Sequence, residues 1–127
     1  MKVEQVKITE VGPRDGFQSE STILKTEDKI DVINNLTDAG FQRIEVSSFV
    51  SPKAIPQLAD AAMILENVKR NPKTTLAALV PNAKGALRAV DAKLDESVVF
   101  LSASESHNKK NLNRCVQDSL TGFKKIA

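Results

Sequence analysis

The sequence has no tryptophan or tyrosine, one cysteine and one histidine. The lone Cys115 excludes an internal disulfide framework and suits a reducing compartment, so a cytoplasmic location is expected. The lone His107 excludes a metal centre built from clustered histidines and cysteines. No apolar run approaches the roughly 20 residues that cross a bilayer. Met1 to Gln5 lack the apolar core of a signal peptide, and no membrane partner is expected. Charge of one sign is scarce too: 18 basic residues face 16 acidic ones, a net charge of +2. That is too little to argue for nucleic acid, and the doublets Lys109-Lys110 and Lys124-Lys125 read as solvated faces.

What is present is ordinary for a globular protein. The chain has 127 residues, 41% apolar and 27% charged, enough for one domain (1–127) with a modest core. Short β-branched runs alternate with helical stretches. Val6 to Val11 reads as a first strand, ended by Gly12-Pro13. Thr26 is a candidate N-cap, with Glu27 and Asp28 in the first turn. Ile30, Ile33 and Leu36 follow on one helical face, and Gly40 is placed to end the helix. Arg43 to Val46 is a second strand, Leu58 to Arg70 a second helix, and Asn71-Pro72 a break. Thr74 to Val80 reads as a strand covered on both faces, and Ser97 to Leu101 as another such strand. Asn82 can cap a third helix reaching about Ala92. A polar loop then leads to a fourth helix from about Leu112 to Ile126.

The order βαβαβαβα implies an α/β fold with parallel strands and right-handed crossovers. No glycine-rich dinucleotide loop follows the first strand. Polar residues follow every strand instead: Arg14-Asp15, Ser47-Ser48, Asn82 and Ser104-Glu105. This favours a (βα)4 half of a (βα)8 TIM barrel, whose chemistry sits at the C-terminal rim of the strands.

Several residues at that rim could carry chemistry. Asp15 is a candidate hard-metal ligand, and the adjacent Arg14 could polarise a carbonyl or hold an enolate oxygen. Pro-Arg-Asp-Gly is equally good turn chemistry, so a surface ion pair is the plain alternative. Glu45 lies inside a strand, where an unpaired charge is costly. It is expected in the barrel lumen, paired with Arg14, and Glu10 shows the same character at the end of the first strand. Asn111 reads as a helix cap or a ligand contact, His107 as a surface histidine and Cys115 as a bystander.

Four blocks then become specific. Glu-Val-Gly-Pro-Arg-Asp-Gly-Phe-Gln-Ser-Glu (10–20), Ile-Glu-Val-Ser-Ser-Phe-Val-Ser-Pro-Lys (44–53), Leu-Val-Pro-Asn (79–82) and Ser-Ala-Ser-Glu-Ser-His-Asn-Lys-Lys-Asn (102–111) are spaced as in hydroxymethylglutaryl-CoA lyases, and the chain resembles that family throughout. The resemblance implies cleavage of 3-hydroxy-3-methylglutaryl-CoA to acetyl-CoA and acetoacetate with a divalent cation, Mg²⁺ or Mn²⁺. It implies Asp15 as a metal ligand, Arg14 as the enolate-stabilising group and Glu45 as its support. Gln18 and Ser48 would line the substrate pocket, and Asn111 would face the active site or the CoA.

The resemblance also marks departures. The family's His-x-His metal pair and its glycine-loop cysteine have no counterpart in these residues. Lys93 stands where the family often has a helix-ending glycine, so a different turn is expected there. Little or no activity is expected of this chain alone. Open sheet edges should drive it into a dimer or larger homo-oligomer. A lyase of longer 3-hydroxyglutaryl-CoA substrates, or a non-catalytic half-barrel binding CoA esters or a partner chain, are the competing readings.

Overall fold

The computed structural model describes residues 6–127. Its centre is a three-stranded parallel sheet: β1 (Arg43–Ser48), β2 (Thr75–Leu79) and β3 (Glu96–Val98), in the order β1-β2-β3. The segment before them adds one parallel bridge, Glu10 to Ile44, on the free edge of β1. Chain order and spatial order therefore coincide. That is the arrangement of a barrel wall; a doubly wound sheet would reverse direction at a switch point.

Helices cover one face. Following a π turn (Gly12–Gly16) come α1 (Phe17–Ser19), α2 (Thr26–Asp38), a 3₁₀ turn (Pro56–Leu58), α3 (Ala61–Asn67), α4 (Ala83–Asp91), α5 (Glu105–Leu112) and α6 (Val116–Phe123). Ile44 and Val46 of β1 and Leu76 and Ala78 of β2 share a buried cluster with Ile33, Ile64, Leu65 and Ala89 from the helices. Gly40 ends α2 at φ 93, where a side chain would be strained. The Phe41 amide then reaches back to Leu36 O at 3.3 Å, and the Phe41 ring packs against the core. Asn82 caps α4 through Oδ1, which accepts from Gly85 N at 2.9 Å. A β-carbon on Gly85 would lie 3.0 Å from Phe49 O, so glycine lets this helix seat closely on the loop after β1, where a larger residue would make the backbone give by a few tenths of an ångström.

Several expectations are corrected. The first strand, read over Val6 to Val11, is reduced to its one bridge, with Val6 and Ile8 exposed. Thr26 does not cap α2. Lys25 occupies that position, and the Thr26 hydroxyl donates to Asp60 at 2.8 Å. The second helix is split, because Pro56 starts a 3₁₀ turn and α3 begins only at Ala61. The last strand is shorter than read and half exposed, since among the described residues only β2 pairs with it. The polar loop before the fourth helix is itself a helix, α5. Asn113 at φ 53 stops it, and α6 starts again behind Cys115. Lys93 stands at φ 56, so the turn keeps a glycine-like geometry with a lysine in it.

One ion pair locks the helical layer. Lys29 is 1% exposed and donates from Nζ to Asp60 at 3.0 Å and to Gln57 O at 2.6 Å. It fastens α2 to the turn before α3. Its residue type hid it from sequence reading, although Lys29 stands at the i, i+4, i+8 spacing of Ile33 and Thr37 on the buried face of α2.

Candidate active site

Three charged side chains meet beside β1. Arg14 Nε donates to Glu45 Oε1 at 2.6 Å, and Nη1 donates to Asp15 Oδ1 at 2.7 Å. The side chains are 20% (Arg14), 7% (Glu45) and 63% (Asp15) exposed. Glu45 is thus a buried carboxylate whose desolvation is offset by a guanidinium. Asp15 is the solvent-facing arm. Arg14 Nη2 makes no hydrogen bond among the described residues, so one edge of the guanidinium is unspent.

The local sequence forces this placement. Pro13 is buried and has no amide proton to lose. Val11 O receives the amides of Arg14 at 3.1 Å and Asp15 at 2.7 Å, winding residues 12–16 into the π turn. Single π turns recur at functional sites because they re-aim side chains. Here the turn points two consecutive charged residues toward β1.

A slip in register completes the arrangement. Glu45 pairs with Ala77, but Ser47 pairs with Ala78 and Ser48 with Leu79, so Val46 is extra. Paired residues of parallel strands share a face, so the bulge returns Ser48 to the face of Glu45. Ser47 is turned to the helix side, where its hydroxyl is buried without a partner. Ser48 Oγ accepts from Val50 N at 3.2 Å, which leaves its proton free to donate.

The structure therefore brings Arg14, Asp15 and Glu45 together, with Ser48 on the same face. Gln18 lies half-buried on α1, the turn that follows Asp15. Asn111 is not a helix cap. It is an exposed residue inside α5. Glu10 departs from its expected lumen position: it pairs with Ile44, on the helix-facing side opposite Glu45. Sequence reasoning missed Asn108. It is fully buried, accepts from Ser102 N and donates to Arg114 O and Ser119 Oγ, and so fixes the α5–α6 corner. His107 is exposed.

The carboxylates fit one side of a hard-cation site. Asp15 Oδ2 and Glu45 Oε2 accept no hydrogen bond among the described residues, and carboxylate oxygens are the donors such ions prefer. They do not make a complete site. No group of three or more His, Cys, Asp or Glu among the described residues could hold a metal ion. A hollow of about 300 Å³ lined by Val6, Ile8, Ala39, Gly40, Phe41 and Gln42 lies where β1 begins. It has no titratable side chain, so the chemistry stays with Arg14.

Comparison with known proteins places this geometry. The HMGL-like family model matches residues 5–127. The chain belongs to the HMGL-like family. It is 46% identical over 123 residues to the hydroxymethylglutaryl-CoA lyase of Bacillus subtilis, covering 97% of this chain and 41% of that protein. To the mitochondrial hydroxymethylglutaryl-CoA lyase of Homo sapiens it is 44% identical over 123 residues, covering 97% of this chain and 38% of the human one. The solved Bacillus subtilis HMG-CoA lyase superposes with a TM-score of 0.93 at 47% identity, covering 96% of this chain and 41% of that one. An Acinetobacter baumannii HMG-CoA lyase, solved with coenzyme A and 3-methylmalate, gives 0.91 at 47% identity and covers 94% and 39%. This HMGL-like chain thus spans about two fifths of the length of the relatives it matches. The family resemblance and the (βα) barrel-wall reading of the sequence are borne out.

Proposed function

We propose that this chain supplies the Arg14–Asp15–Glu45 arm of a carbon–carbon lyase that cleaves 3-hydroxy-3-methylglutaryl-CoA to acetyl-CoA and acetoacetate. The observation that carries the reading is Arg14: two carboxylates brace its guanidinium, and its Nη2 edge is left free. In a retro-aldol cleavage the tertiary hydroxyl gives its proton to a general base, and the carbon–carbon bond breaks to release acetoacetate. The electron pair of that bond leaves an acetyl-CoA enolate, whose thioester oxygen carries the negative charge until the carbon takes up a proton. A donor edge fixed in advance stabilises that charge without reorganising. Glu45, engaged by Arg14, acts as its positioning residue. Ser48, with a free hydroxyl proton, and Gln18 line the substrate side.

Asp15, supported by Glu45, would hold a divalent cation, Mg²⁺ or Mn²⁺. When bound, such an ion adds positive charge where the substrate oxygens develop negative charge. The acyl-CoA substrate is the class suggested by the relatives' names and by the coenzyme A in the Acinetobacter protein. Asn111, exposed on α5, would serve the CoA side only. A cytoplasmic location matches the single cysteine and relatives named cytoplasmic, although others are named mitochondrial.

The test grafts residues 5–127 in place of the matching part of the Bacillus subtilis enzyme. The chimera is expected to release acetoacetate, and Arg14→Gln to cost it about 10²–10³ in rate, the usual loss of one oxyanion donor. A folded but inert chimera would overturn the proposal. The 127-residue chain alone is expected to show little turnover, because two carboxylates are a partial metal site. Titration with Mn²⁺ is expected to show weak binding that Asp15→Ala abolishes. A second substrate is worth assaying: a Pseudomonas aeruginosa relative, 42% identical over 120 residues, is named for both 3-hydroxy-3-isohexenylglutaryl-CoA and the hydroxymethyl compound.

Self-association belongs to the same proposal. Val6 and Ile8 are 73% and 69% exposed beside one edge of the sheet, and Val99 is 39% exposed beyond β3 at the other. Light scattering is expected to report a dimer or larger; a clean monomer at high concentration would count against it.

A further inference from the structure

The loop that presents Arg14 and Asp15 is held from two sides, and only one of them is the Glu45 contact. The other is Glu10. Its backbone is pinned to β1: Glu10 N donates to Arg43 O at 3.0 Å, and Glu45 N donates to Glu10 O at 2.8 Å. Its side chain then turns forward, and Oε1 accepts the Gly12 amide at 2.7 Å. Gly12 opens the π turn. The first amides of a helical turn have no partner within it, so a carboxylate there both satisfies a donor and favours the turn's positive end.

Gly12 and Glu10 depend on each other. A β-carbon on Gly12 would sit 2.8 Å from Glu10 Oε1, too close for contact. The absence of a side chain at Gly12 is what lets the carboxylate reach the amide. The obstructing atom is the end of a flexible side chain, so a methyl there would push the carboxylate away without disturbing the backbone.

We infer that Glu10 is a positioning residue for the site: through Gly12 it fixes the turn that aims Arg14 at Glu45 and leaves Asp15 facing solvent. Glu45 braces the guanidinium from the face opposite the helices, and Glu10 braces the loop's backbone from the helix side. The inference rests on the proposed function for its meaning, but its geometry does not.

The experiment therefore reads the geometry first. In the labelled 127-residue chain, Glu10→Ala is expected to speed exchange of the Gly12 amide about tenfold, the scale of one lost hydrogen bond to a charged group. The Arg14 Nε–H resonance is expected to move toward that of a free guanidinium. Glu10→Gln keeps a carbonyl oxygen at the acceptor position and is expected to restore both readouts with an unchanged urea midpoint. Gly12→Ala is expected to reproduce Glu10→Ala, and the double variant to add nothing further. In the chimera, Glu10→Ala is expected to slow cleavage and Glu10→Gln to retain it. An unmoved Gly12 amide in Glu10→Ala, or no rescue by glutamine, would overturn the inference. An inert chimera with these amide changes intact would instead count against the proposed activity alone.

Discussion

Arg14 Nε lies 2.6 Å from Glu45 Oε1 across 31 residues of sequence, and this bond joins the loop that carries Asp15 to the wall of the sheet. The two ends differ in solvation: Glu45 is 5% exposed as a residue, whereas Arg14 remains partly open. Loss of either partner therefore has different consequences. Glu45→Ala is expected to free Arg14 into solvent and cost about 1–3 kcal/mol of stability, with a much larger loss in cleavage by the chimera. Arg14→Gln leaves a buried carboxylate without its cation, and is expected to cost more stability than Glu45→Ala. Urea unfolding of the two variants and acetoacetate release by the chimera check the two halves. An Arg14→Gln variant no less stable than Glu45→Ala would sink this account.

The Lys29–Asp60 pair predicts an asymmetry. Removing one partner of a buried pair strands the other charge, so Asp60→Ala is expected to cost about 3–5 kcal/mol. Lys29→Met keeps the aliphatic stem in the same slot. It leaves Asp60, 17% exposed at its side chain, with the Thr26 hydroxyl and some access to water. It is expected to cost less than half as much. Equal losses in urea denaturation would show that the charge interaction is not what fixes Lys29.

Ser47 offers a gain. Its hydroxyl is buried with no hydrogen-bond partner, a consequence of the bulge that turns Ser48 to the other face. Ser47→Ala removes the unsatisfied group and is expected to be neutral or to add about 1 kcal/mol of stability. Ser48→Ala, which deletes an acceptor for Val50 N, is expected to gain nothing. The order of the two thermal midpoints decides the matter.

Cys115 caps α6 with sulfur. Its Sγ accepts from Asp118 N at 3.3 Å, where a hydroxyl oxygen would bond better. Cys115→Ser is expected to stabilise the chain by about 0.5–1 kcal/mol, and Cys115→Ala to weaken it. A serine variant less stable than the parent would mean that the thiol is held by packing and not by its cap.

The Arg43–Glu96 pair predicts an acid response. Its hydrogen bond to Arg43 lowers the Glu96 carboxyl below its ordinary range, and the Arg43 guanidinium is raised by the same bond. A carboxyl with a depressed folded-state pKa contributes stability above its unfolded pKa and loses it as pH falls through the folded one. The clasp between the starts of β1 and β3 is therefore expected to loosen only below the usual carboxylate range. Glu96 is 46% exposed at its side chain, so screening keeps the effect below about 1 kcal/mol. Glu96→Gln is expected to flatten this limb of the stability–pH curve, and an unchanged curve would refute the assignment.

The alternation of three parallel strands with helices, the helix ends at Gly40 and Asn82, and the pairing of Arg14 with Glu45 were legible in the residues. Each has a local or compositional cause: a positive φ that suits glycine, an amide that needs a cap, a charge inside an apolar strand that needs a partner. Other features depend on neighbours distant in sequence. Thr26 looks like a cap until Asp60 arrives to take its hydroxyl. Ser47 and Ser48 look equivalent until the register with Ala78 and Leu79 puts them on opposite faces. Glu10 resembles Glu45 in pattern, but its partner is Ile44 and its carboxylate serves Gly12. Sequence alone pointed to the pairing of Arg14 with Glu45 and to the family, but not to the Lys29–Asp60 or Arg43–Glu96 pairs. Tertiary structure decided which face each side chain takes, because a one-residue slip in pairing reverses that face and no local pattern encodes the slip.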